Sequence, residues 1–192
     1  MFVPAKLDVL HLSHLRSTEA AALIEFAVAL PLLVVLIVGI FDFGGAFNLK
    51  QELNNAVREG AHFAANQPTN DLATVTPAPP SVDAVRFLVD SYLQTAKIND
   101  CGLSTATGNL GGSLSWVYTA STACAGTLTL TIDHGKFASE GGGGNPVRML
   151  CTNVKIVYPY QWHFNSVIRL LVPSATYSLG SITSDATAVN MD

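Results

Sequence analysis

The feature that most constrains this chain is an apolar run from Ala20 to Phe41, in which Glu25 is the only charged residue. A helix over this range is about 33 Å long, which matches the roughly 30 Å hydrocarbon core of a bilayer. Charged residues make up 12% of the chain, and the part beyond the run is rich in Ser, Thr, Asn and Gly. The run therefore predicts one membrane-spanning helix that carries a mostly polar, uncharged domain.

The helical pattern continues past the apolar run. Asn48 to Ala65 is rich in good helix formers and has apolar or small residues at spacings of three and four. One helix from about Ala20 to Ala65 is the simplest interpretation, with a kink or local loosening at Pro31, which lacks a backbone donor. A cleaved signal peptide stays open as an alternative, since residues 44–46 are small, although a signal's apolar core is only about 7 to 15 residues long.

The positive charges that flank the run do not set its orientation. Lys6 and Arg16 precede it, and Lys50 and Arg58 follow it, which is a tie under the positive-inside rule. We place the N-terminus in the cytoplasm because the larger domain and all three cysteines lie C-terminal to the run.

Glu25 lies five residues inside the apolar run. An ionisable group there costs about 2 to 3 kcal/mol unless it is near the interface or paired. Two interpretations stay open. The side chain can snorkel to the interface, or it can pair with a positive charge on another protein, which would offset desolvation and fix the helix register during assembly.

The stretches 20–47 and 56–65 resemble the N-terminal signature of the TadE-like family of tight-adherence (Flp) pilus proteins. The similar features are Glu25 and Phe26 at the entry to the span, Pro31 early in it, GIFDFG at 39–44 and REGA at 58–61. The pattern VKIVYPY at 154–160 is also similar to the later region of that family.

The resemblance implies a minor pilin or a pseudopilin-like protein of the bacterial inner membrane, with its C-terminal domain outside the cytoplasm. The implied partners are the membrane, other pilus or pilus-assembly subunits, and a prepilin peptidase. In the family this peptidase can cut so that the glutamate becomes the fifth residue, which here places the cut between Ala20 and Ala21, with Ala20 where a glycine is usual. Small residues let membrane helices approach closely, so we expect subunit assembly to use Glu25, Phe26, Pro31, Gly39, Gly44 and Gly45.

The chain beyond the long helix is predicted to form an α+β domain with a second helix and an antiparallel sheet of about four strands, and the resemblance implies that this fold is pilin-like. We divide the chain into an N-terminal tail at 1–19, the helix at 20–66, a Pro-rich linker at 67–80 and the domain at 81–192. Ser81 is the expected N-cap of a helix at 82–96. Its Asp83, Arg86, Asp90 and Gln94 would face water, and its apolar face would consist of Val82, Val85, Leu88 or Val89, and Tyr92 or Leu93. The expected strands are 114–118, 127–133, 147–160 and 177–189, with a flexible connector at 138–146.

Three cysteines, Cys101, Cys124 and Cys151, allow three disulfide pairings in an oxidising compartment. We favour Cys101 with Cys124, and three free thiols stay open as the alternative. An aromatic cluster of Tyr158, Tyr160, Trp162 and Phe164 is interpreted as core, with a contact to neighbouring subunits or to the membrane surface as the alternative.

Several chemistries find little support in the residues. The net charge of −4 with no basic cluster argues against nucleic acid. Asp133, His134 and Ser139 are hydrolase residue types without a GxSxG elbow, and the glycines at 141–144 are not followed by the Lys-Ser or Lys-Thr of a phosphate loop. His134, His163, Cys124 and Cys151 lack the spacing of a zinc site. We therefore expect no catalysis, metal, cofactor or small-molecule substrate.

These observations favour a structural, membrane-anchored component of a tight-adherence pilus or of its assembly and secretion apparatus, which acts by association of helices. The alternative is a single-pass membrane-anchored surface binding module unrelated to pilus assembly.

Overall fold

The computed structural model describes residues 18–73, 78–140, 147–162 and 180–190. Its first helix, α1, extends from Thr18 to Ala65 and includes Pro31. The prediction of a single long helix through the apolar run is therefore confirmed. Up to Phe41 the apolar side chains of α1 are largely exposed, whereas beyond Asn48 one stripe of the helix is buried against the domain.

The buried stripe of α1 consists of the small and apolar residues that recur at spacings of three and four. Leu53 and Val57 are fully buried. At Gly60 an added Cβ would lie 3.0 Å from Cγ2 of Val89 and 3.5 Å from Cγ1 of Val154. The helix therefore packs closely on its neighbours at this glycine, where even a methyl group would press on Val89.

The second helix, α2, extends from Pro80 to Thr95 and begins after Pro79 without a side-chain N-cap of its own. The prediction that Ser81 is the N-cap is wrong. The carboxylate of Asp71 takes that role from the preceding linker, because it accepts bonds from the Ser81 N–H at 2.9 Å and from the Ser81 hydroxyl at 2.8 Å. A residue ten positions earlier thus satisfies a free donor of the first turn.

Two side chains of α2 that were expected to face water are buried. Arg86 is 4% exposed and Asp90 is 5% exposed. Arg86 donates to the carbonyls of Leu103 at 2.9 Å and of Ser104 at 2.7 Å, because a 3-10 turn at 103–105 covers this side of the helix. The apolar face was placed correctly, since Val82, Val85, Val89 and Leu93 are all fully buried.

A five-stranded antiparallel sheet with the strands in sequential order completes the α+β fold. The predicted count of about four missed the first, glycine-rich strand. Its sequence, GNLGG, lacks the β-branched residues and the alternation that predict a strand. The strands are β1 (Gly108–Gly112), β2 (Ser115–Ala120), β3 (Leu128–Glu140), β4 (Val147–Tyr160) and β5 (Gly180–Val189).

The strand bounds differ from the prediction mainly at β3. This strand continues to Glu140 with a shift in its register to β4 between Asp133 and Lys136, so residues 138–140 are strand and not connector. The remainder of the predicted connector, 141–146, and the first three residues of the predicted last strand, 177–179, lie outside the described residues.

One hydrophobic core joins the sheet to both helices. The sheet contributes Trp116 and Tyr118 of β2, together with alternating residues of β3 and β4 such as Leu130 and Ile156. A disulfide joins Cys101 to Cys124, and Cys151 is a buried free cysteine. The disulfide ties the loop after α2 to the turn between β2 and β3.

Candidate assembly surface on the membrane helix

The N-terminal half of α1 extends from the domain with its apolar side chains exposed, and we call residues 21–41 the exposed rod. Leu23, Val28 and Phe41 are each at least 70% exposed, and the most apolar 18-residue window of the helix is entirely unburied. Such a surface is long and apolar enough to cross a bilayer. Exposure of such a large apolar surface to water is unfavourable, so lipid or other apolar helices must cover it.

Most of the residues predicted for subunit assembly lie along the exposed rod. Glu25, Phe26 and Pro31 are exposed, and Gly39 is half-buried. At the predicted cleavage position both alanines belong to α1; Ala21 is exposed, whereas the side chain of Ala20 lies outside the described residues. Glu25 is therefore exposed within the apolar surface of the helix.

The two adjacent glycines of α1 have different surroundings. An added Cβ at Gly44 would meet nothing within 4 Å, whereas one at Gly45 would lie 3.4 Å from the hydroxyl of Tyr160. Gly45 faces its own domain. Gly44 is the one of this pair that remains open to close approach by another helix.

Among the described side chains of α1, Asp42 is the first that is buried; it is only 5% exposed, while both of its helical neighbours are exposed. The Tyr160 hydroxyl lies 3.1 Å from the Asp42 carbonyl oxygen and 3.1 Å from its Oδ1. Burial and then the hydrogen bond to this carboxylate raise the pKa of Tyr160. The phenol therefore stays protonated at neutral pH and donates to Asp42.

Three aromatic rings surround this junction, and we call Phe43, Tyr160 and Trp162 the aromatic collar. The ring centroids of Phe43 and Trp162 are 5.3 Å apart, and those of Tyr160 and Trp162 are 5.0 Å apart, both in edge-to-face geometry. Gly180 leaves room for the indole, since an added Cβ there would lie 2.7 Å from Nε1 of Trp162.

The aromatic residues that were predicted to form one core cluster lie in different places. Tyr158 is part of the core, whereas Tyr160 and Trp162 lie against α1, and Phe164 is outside the described residues. The role of Asp42 was not found from the sequence. A carboxylate directly after an apolar run was the available signal, but its partner is 118 positions away.

A second contact above the collar links α1 to the edge strand β5. The Lys50 ammonium donates to the carbonyl of Thr183 and, at 3.0 Å, to the hydroxyl of Ser184, which is fully buried. The Lys50 ammonium is thus bound to β5. This contact helps to fix the rotation of α1 about its axis relative to the sheet.

The residues considered for hydrolysis do not form a catalytic arrangement among the described side chains. Nδ1 of His134 lies 2.9 Å from Oγ1 of Thr152, whose hydroxyl donates to Oδ1 of Asn190 at 2.8 Å, so His134 donates to Thr152. Asp133 instead accepts from the N–H of Gly135 and contacts Lys136. Burial lowers the pKa of His134, and the side chain of Ser139 is outside the described residues.

The zinc arrangement considered from the sequence loses one ligand, because Cys124 is in the disulfide. Within the described ranges no group of three or more His, Cys, Asp or Glu residues is placed to hold a metal ion. His163 lies outside those ranges.

Residues 20–62 match the model of the family described as TadE-like protein. The matched segment contains the exposed rod, the junction at Asp42 and most of the buried stripe, and it is less than a quarter of the chain. The match supports a single membrane anchor and an association with a tight-adherence pilus system. No curated protein and no solved structure matches this chain.

Proposed function

We propose that this chain is a structural, non-enzymatic subunit of a tight-adherence pilus or of its assembly and secretion apparatus, in the manner of a minor pilin or pseudopilin. The observation that carries the proposal is the exposed apolar half of α1, which holds Glu25 and lies within the TadE-like match. Lipid, or the apolar helices of other subunits, must cover a surface of this kind along its whole length.

The proposed mechanism is association of α1 with the membrane helices of other pilus subunits. Without a hydrophobic drive between helices in lipid, close packing at small residues and polar contacts hold them together. Gly44 offers the close approach, and Glu25 offers a carboxylate whose desolvation a positive charge on the neighbour would offset. Glu25 would then set the register between the two helices.

The proposed location is the bacterial inner membrane, with the domain on the extracytoplasmic side. The disulfide between Cys101 and Cys124 supports this side, because disulfides persist in oxidising compartments. We further propose a prepilin peptidase as a transient partner that cuts between Ala20 and Ala21. Mass spectrometry of the N-terminus of protein taken from its native membrane tests the cut directly.

Replacing Glu25 by Gln in the cell that carries the chain tests the assembly role. The variant should still resist extraction from membranes by carbonate, because Gln costs less to insert than Glu. Fibre yield should fall about tenfold or more, since tenfold corresponds to about 1.4 kcal/mol of lost interaction.

Glu59→Gln is the matched control, because Glu59 is an exposed glutamate of the same helix beyond the apolar run. It should leave fibre yield unchanged. Normal yield with Glu25→Gln would contradict the pairing role and favour the anchored binding module.

A further inference from the structure

We propose that the aromatic collar is a lipid-docking surface that seats the domain directly on the bilayer, with Phe43, Tyr160 and Trp162 in the headgroup layer. The partner is the boundary between lipid headgroups and acyl chains. The inference rests on the membrane span of the proposed function and is independent of pilus assembly.

The length of the exposed rod places the collar at the membrane surface. Asp42 is the first buried residue of α1 among the side chains that the structure describes. A helix over 21–41 spans about 31 Å at about 1.5 Å per residue, against a hydrocarbon core of about 30 Å. If this rod fills the core, Asp42 lies at its edge. The headgroup layer beyond is about 5 to 7 Å thick.

The collar residues lie within that layer. Phe43 follows Asp42 directly in the helix, and its ring is 68% exposed. Trp162 contacts Phe43 and is half-buried, and Gln161 beside it is exposed. Phe47, one turn further along α1, is also 68% exposed. Two exposed phenylalanines on one face of the helix and an indole therefore lie just where the helix would leave the hydrocarbon.

The chemistry of these side chains suits a lipid interface. Tyr and Trp are enriched at membrane–water boundaries because their rings are apolar and their tips are polar. The hydroxyl of Tyr160 bonds Asp42 at 3.1 Å, so the first carboxylate after the span has a donor inside the protein. This lowers the cost of holding it at the edge of the hydrocarbon.

Lipid is a better occupant than a second protein copy because the surface continues the rod without interruption. A bilayer that covers the apolar side chains up to Phe41 necessarily reaches Phe43, two residues later. The collar itself carries no charged side chain, and Lys50 above it is bound to β5. Docking should therefore rest on the aromatic rings and not on attraction to anionic lipids.

Fluorescence quenching in vesicles tests the proposal, because the chain has two tryptophans and Trp116 is fully buried. Purified full-length protein is inserted into phosphatidylcholine vesicles that contain brominated phosphatidylcholine, with no other pilus protein present. Trp162→Phe is the matched variant, because it keeps an aromatic ring in the collar. Subtracting its signal leaves the emission of Trp162.

We expect bromine atoms near the headgroup to remove most of the Trp162 emission, bromine near the bilayer centre to remove less, and aqueous iodide to have little effect. Quenching by iodide alone would overturn the proposal, because the domain would then stand away from the bilayer. Protection from both quenchers would overturn it as well, since protein would then cover the collar.

Flotation of the same vesicles reports insertion separately. Protein that inserts but fails the quenching test refutes docking and leaves the assembly role intact. Protein that does not insert refutes the membrane span, on which both proposals depend.

Discussion

Asp90 and Asp100 show how a tertiary neighbour changes the chemistry of one residue. Burial first, and then the neighbouring carboxylate of Asp100, raise the pKa of Asp90 to about 6. Burial would also raise the pKa of Asp100, but hydrogen bonds that include the backbone N–H groups of Gly102 and Ser104 outweigh it and lower that pKa. Asp90, which accepts from Gln94 at 2.9 Å, therefore keeps its proton to a higher pH than an ordinary aspartate does.

Asp90 should make the domain less stable as the pH rises from about 4 to about 7. A group whose pKa is raised on folding contributes stability that is complete below its ordinary pKa and is lost as the pH passes the folded value. The rise from 3.8 to about 6 corresponds at most to about 3 kcal/mol, which solvent screening reduces to about 1 to 2 kcal/mol. Asp90→Asn cannot ionise, so its melting temperature in detergent should change less over this range.

Asp185→Asn is the control for this measurement, because Asp185 is an exposed carboxylate on β5. It should keep the pH dependence of the unchanged protein. Equal slopes for Asp90→Asn and the unchanged protein would show that the proton is not held by Asp90.

At the scale of the element, the start of α2 depends on a residue outside it. Pro79 and Pro80 define where the helix begins, since a proline suits the first helical position and lacks the N–H that would need a partner there. The next donor, the Ser81 N–H, is satisfied by Asp71. The cap therefore also fixes the linker against the helix.

The two possible caps predict opposite results. If Asp71 is the cap, Asp71→Ala should lower the free energy of unfolding by about 1 kcal/mol. Ser81→Ala should cost less, because its backbone N–H still donates to Asp71. Urea unfolding of the full chain in detergent, followed by tyrosine and tryptophan fluorescence, measures both changes. A larger loss with Ser81→Ala would restore Ser81 as the cap.

At the scale of the whole molecule, α1 uses small residues in two different surroundings: against its own domain and on its exposed surface. Gly60 is enclosed by Val89 and Val154, whereas Gly44 has open space around it. One glycine is needed for packing within the chain, and the other is available for packing between chains. The helix thus connects a folded domain to a surface that requires partners.

Leucine at these two positions should separate the two roles. Gly60→Leu places a side chain where even a Cβ lies 3.0 Å from Val89, so overpacking should cost about 1 to 3 kcal/mol or more and lower the melting temperature. Gly44→Leu should leave the melting temperature unchanged, yet reduce fibre yield, because neighbouring helices could no longer approach. A melting temperature equally low in both variants would refute this division of α1.

The long helix, its buried stripe and most of the sheet followed from the sequence because each is encoded locally. The apolar run of α1 and the alternation in β3 and β4 are patterns of period 3.6 and 2, which depend only on neighbouring residues. The apolar face of α2 is correct for the same reason. The TadE-like signature is likewise contained in one continuous segment.

The tertiary structure alone decided four features: the burial of Arg86 and Asp90, the strand β1, the cap by Asp71, and the hydrogen bond from Tyr160 to Asp42. Each depends on groups far apart in the chain, such as the carbonyls that receive Arg86 or the strand β2 that pairs with glycine-rich β1. The sequence pattern of a helix does not distinguish a polar side chain that is hydrated from one that is buried and donates to a carbonyl. Only the folded chain brings the buried partner within hydrogen-bond distance and offsets the cost of removing the side chain from water.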